Sequence, residues 1–71
     1  MKYAQVVEAA ERMAAADIEV ESLLMMNVSD KLDDRIKAYA RLTMAREKAR
    51  RARADYDERL RLFYETPESE R

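Results

Sequence analysis

The stretch Leu23-Leu24-Met25-Met26-Asn27-Val28-Ser29-Asp30 decides the fold. An apolar run stops there, and Asn27-Val28-Ser29-Asp30 is the only turn-forming cluster before the C-terminal tail. Asparagine tolerates the left-handed conformation at a helix end, and serine or aspartate caps the start of the next helix. Asp30, Asp33 and Asp34 then crowd the opening turn of that next helix, where the positive end of a helix dipole favours carboxylates. The chain is therefore expected to reverse at residues 27–30, with a first helix over about 3–26 and a second over about 30–64.

On the N-terminal side of that turn, residues 3–26 hold no breaker, and at helical spacing their apolar members fall into two rows. Val6, Met13, Val20 and Leu24 form one row; Val7, Ala14, Ile18 and Met25 form the other. A helix with two apolar sides needs more than one neighbour. On the C-terminal side, Ala38, Leu42, Ala45, Ala49, Ala52, Tyr56, Leu60 and Phe63 step by three and four along one face. Small residues in such a row let two helix axes approach to about 8 Å. A shorter row, Leu32, Ile36, Tyr39 and Thr43, looks another way. Acids precede bases by four at Asp33/Lys37, Glu47/Arg51, Asp55/Arg59 and Asp57/Arg61, which supports a helix locally.

These patterns predict an all-α, antiparallel two-helix hairpin, coiled-coil-like, completed into a helical bundle by oligomerisation or by a partner. Residues 1–64 form its single domain, and 65–71, with Thr66-Pro67, form a flexible polar tail. Folding back at residue 28 sets position i against roughly position 56 minus i. Leu24 then meets Leu32, Val20 meets Ile36, Met13 lies near Thr43, and Glu8 and Glu11 approach Arg46 and Lys48. The longer second helix projects by three turns in that register, leaving Tyr56, Leu60 and Phe63 uncovered.

Composition narrows the function. The 71 residues contain no Cys, His or Gly. Disulfides, thiolate metal sites, the commonest general base and glycine-built phosphate loops are thereby excluded. Ser22, Ser29, Ser69, Thr43 and Thr66 lack a histidine to activate them, so no enzyme, cofactor or metal is expected. No apolar run approaches the roughly 20 residues a membrane span needs, and the N-terminus meets Glu8 and Glu11 too soon for a secretory signal. A cytoplasmic address is the default expectation.

Net charge is only −1, yet it is unevenly spread. Residues 1–34 carry three bases and eight acids, 35–53 carry eight bases and one acid, and 54–71 carry three bases and six acids. The basic segment Arg41, Arg46, Lys48, Arg50, Arg51 and Arg53 is the one candidate for electrostatic contact. Arg46 and Arg53 flank one side of the alanine row, Arg41 and Lys48 the other, and Arg50 and Arg51 point away. Charges wrapped around a helix steer a partner more readily than they read a nucleic-acid groove.

The expected function is a non-catalytic protein-protein interaction module: an adaptor, co-chaperone or small inhibitor. It binds itself or another protein through apolar helix faces, at Tyr56, Leu60, Phe63, Val7, Ile18 and Met25. Met25 and Met26, with Leu23 and Leu24, offer an adaptable patch at the hairpin tip. Alternatives are a nucleic-acid-associated regulator using 41–53 and a structural subunit of a larger assembly; no membrane is implied. In outline such a hairpin resembles the small subunit of exonuclease VII and the short co-chaperones of type III secretion needles. The Asn27-Val28-Ser29-Asp30 connector lacks the Gly/Pro turn expected of the nuclease subunit, so the resemblance implies no functional residues here.

Overall fold

The computed structural model describes residues 1–71 as two helices and a closing turn: α1 (Tyr3–Leu24), α2 (Leu32–Glu65) and a 3-10 turn, Glu68–Glu70. There are no strands, and α1 packs antiparallel against α2, so the chain is an all-α two-helix hairpin. Its Cα atoms span 58 × 14 × 10 Å with a radius of gyration of 16.7 Å. A compact chain of this length would have a radius near 11 Å.

Local chemistry sets the helix ends. The Gln5 side chain accepts a hydrogen bond from the Lys2 backbone N–H at 3.1 Å, satisfying a donor that α1 leaves orphaned. Asp33 and Asp34 occupy the first turn of α2, beside its positive dipole end. Between the helices, residues 25–31 form a wider connection than the four-residue turn the sequence suggests. The expected left-handed Asn27 is not there, because no residue of the chain has positive φ. Ser29 does not cap a helix through Asp30 either; its Oγ accepts from the Lys31 N–H at 3.2 Å, and α2 starts after Lys31. With neither glycine nor a left-handed residue at its C-terminus, α1 lacks the αL cap that would turn the chain at once. The backbone runs on past α1 before turning.

That wider connection resets the register. Glu19 pairs with Lys48 (3.5 Å), the Gln5 carbonyl accepts from Arg59 (3.1 Å), and the Tyr3 and Phe63 rings lie 6.1 Å apart. Position i therefore faces roughly position 66 minus i. Against the expectation of roughly 56, α1 has slid about three turns toward the C-terminal end of α2. The expected Glu8 and Glu11 contacts with Arg46 and Lys48 are lost: Glu8 pairs with Arg12 in its own helix, and Lys48 finds Glu19. Sliding covers the largest side chains available, since Tyr56, Leu60, Leu62 and Phe63 are half-buried. Surplus α2 length thus lies at its N-terminal end, alongside the connector.

The core is a seam of small residues. Val6, Ala9, Ala16 and Ala45 are the only buried positions, and Met13, Val20, Leu23, Ala38, Leu42, Ala49 and Ala52 are half-buried beside them. The α2 row matches the spacing read from sequence at every position. On α1 the contact row instead reads Val6, Ala9, Met13, Ala16, Val20, Leu23, a strict three-four repeat, and Leu24 turns outward. No large side chain is fully buried.

The chain ends do not trail away. Arg71 donates to the carbonyls of Thr66 (2.9 Å), Phe63 (3.0 Å) and Tyr64 (3.1 Å), and its guanidinium stacks 4.8 Å from the Phe63 ring centroid. Arg71 thereby folds back over the last turn of α2, where helix carbonyls run out of following N–H donors. The N-terminal ammonium donates to Thr66 Oγ1 at 3.0 Å, tying both ends together.

Candidate interaction surface

The apolar positions singled out in sequence divide into two groups. Tyr56, Leu60 and Phe63 do not project; they are half-buried against α1, where Phe63 meets Tyr3. Val7 is half-buried as well. The register shift causes this, because the three turns expected to protrude are the ones α1 now covers. Ile18 and Met25, by contrast, stand 62% and 85% exposed, as an unpartnered second row requires.

Exposed apolar surface gathers at the opposite end from the one expected. Of the eleven large hydrophobic residues left exposed, nine lie between Ile18 and Met44, around the hairpin tip. Ile36 (57%) and Tyr39 (72%) continue the patch onto α2, together with Leu32. Their row was visible in the sequence. Its exposure was not, because the expected register placed Ile36 and Leu32 opposite Val20 and Leu24. A shallow groove between the connector and α2, lined by Leu23, Met26, Val28, Ala38 and Arg41, adjoins the patch.

Basic residues sit beside it. Arg41, Arg46, Lys48, Arg50, Arg51 and Arg53 are all exposed, but they are not equally free. Glu47 engages Arg50 at 2.6 Å and Arg51 at 3.1 Å, and Glu19 holds Lys48. The hydrogen bond from Arg50 keeps the Glu47 carboxyl below its usual range, and the same bond raises the Arg50 guanidinium. Arg41, Arg46 and Arg53 have no ion-pair partner in the chain. The hydroxyl of Thr43, within the apolar row, is spent on the Tyr39 carbonyl at 2.9 Å. Among the expected helical pairs, Glu47/Arg51 and Asp55/Arg59 form, whereas Arg61 chooses Glu65 over Asp57.

No helix is long and apolar enough to cross a membrane. The fold and surface together define the class: an all-α helical hairpin with an apolar, charge-flanked tip. No protein-family model, curated protein or solved structure matches the chain.

Proposed function

We propose that this chain is a non-catalytic protein-protein interaction module, an adaptor, co-chaperone or small inhibitor, that binds through the tip half of the hairpin. One observation carries the reading: large apolar side chains left exposed are concentrated around the tip, on both helices and the connector. Exposed apolar surface concentrated in this way marks association sites, since leaving it in water is unfavourable in proportion to its area. Methionines within the patch suit a partner of irregular shape. Contact with nucleic acid through 41–53 has less support, because three of its six cations already face carboxylates of the same chain.

Photo-crosslinking in cells tests the reading. A photoreactive residue replacing Tyr39 should give protein adducts, of itself or of another chain, well above those from the same residue replacing Glu58. Equal yields at both positions would remove the tip surface from consideration.

A further inference from the structure

The occupant of the tip surface can be argued from area and charge together. The chain exposes 5892 Å². A compact monomer of 8.4 kDa would expose about 4,600 Å², so about 1,300 Å² is in excess. A standard interface removes about 800 Å² from each partner, so one further hairpin of the same size would absorb most of that excess.

Charge then selects which hairpin. In helical projection Asp17, Glu21 and Leu24 of α1 lie on the same side of the hairpin as Tyr39 and Arg46 of α2, while Ile18 and Met25 point directly away from α2. The other side is the one closed by the Glu19–Lys48 ion pair. On the open side Asp17, Glu21 and Arg46 have no ion-pair partner, so an acidic edge and a basic edge run side by side with apolar residues among them. Such a face complements itself. A two-fold axis parallel to the helices lays α1 of one copy over α2 of the other with both tips at the same end. In the observed register this sets Glu21 level with Arg46 across the contact. A two-fold perpendicular to the helices stacks α1 on α1, acid on acid. In an isologous contact every favourable pair occurs twice.

We propose that this side of the tip is the interface of a symmetric homodimer, a four-helix bundle in which α1 of each copy covers α2 of the other. The proposal rests on the reading of the chain as an interaction module and names its partner as a second copy.

Sedimentation equilibrium of the purified full chain at micromolar concentration should return twice the mass of 8.4 kDa. Leu24→Glu together with Tyr39→Glu should return the monomer while circular dichroism remains helical. For the charges, Glu21→Arg and Arg46→Glu chains should each self-associate weakly, and their mixture should form the heterodimer on the order of tenfold more tightly. Native mass spectrometry reads that ratio directly. A helical wild type that stays monomeric to hundreds of micromolar overturns the proposal. So does a dimer indifferent to Leu24 and Tyr39, or a mixture no tighter than its parents. Adducts from Tyr39 with a different protein, beside a monomeric wild type, would overturn the homodimer and leave the interaction module standing. No adduct of any kind would remove both.

Discussion

Ala9 has no exposed surface at all, and its methyl group sets how closely α1 approaches α2. Ala9→Leu adds three carbons where no space remains and is expected to destabilise the hairpin by about 1–3 kcal/mol. Ala14→Leu, on the solvent side of the same helix, should leave the thermal midpoint nearly unchanged. Similar midpoints for the two variants would show that the seam does not lie where the buried row places it. Glu47 is the other informative residue, because it serves two arginines at once. Its carboxyl is held below the ordinary value of 4.5, so its contribution is present above that pH and is lost as the pH falls through the lower folded value. Surface screening keeps the effect small. Glu47→Gln should lower the midpoint slightly in low salt at neutral pH, and the difference should vanish in molar salt or at acid pH.

Register is a property of the helix pair. Spin labels at positions 19 and 48 should lie close together, as the Glu19–Lys48 pair does. Labels at 8 and 48 should be separated further, by about 16 Å along the axis at 1.5 Å per residue. The reverse order of distances would restore the tighter turn at residue 28. At the far end, Arg71 donates to the Phe63 and Tyr64 carbonyls in the last turn of α2 and to the Thr66 carbonyl just beyond it. Arg71→Ala should speed amide exchange in the turn around Phe63 and Thr66 without exposing the seam. Global loss of helicity would mean that these contacts hold more than their own turn.

The molecule as a whole buries four residues, three of them alanine, which is a thin core for 71 residues. Folding that is coupled to association predicts a thermal midpoint that rises with protein concentration. Calorimetry over a hundredfold range of concentration measures this, and a constant midpoint would indicate that the hairpin stands alone. Near-zero net charge hides a strong internal separation, an acidic α1 against a basic middle of α2. Raising the salt should therefore slow association more than it speeds dissociation.

The sequence by itself determined the helices, the place of the reversal and the contact row of α2 from Ala38 to Phe63. Each comes from local rules: helical periodicity, the absence of breakers, and the polar cluster at 27–30. It also determined that α1 carries a second apolar row, since Ile18 and Met25 face solvent wherever α2 packs. Only the tertiary structure decided the register, and with it the exposed surface. A periodic row fits its partner at several offsets a few turns apart, and the steps of three and four in both helices repeat closely enough that spacing does not choose among them. The choice came from outside the repeat: a helix end with no left-handed cap lets the connector run longer, and the Tyr3–Phe63 contact rewards sliding toward the C-terminal end of α2. That slide buried Tyr56, Leu60 and Phe63 and left Ile36 and Tyr39 at the surface. The sticky end of the hairpin is the one where the connector, rather than α1, lies beside α2.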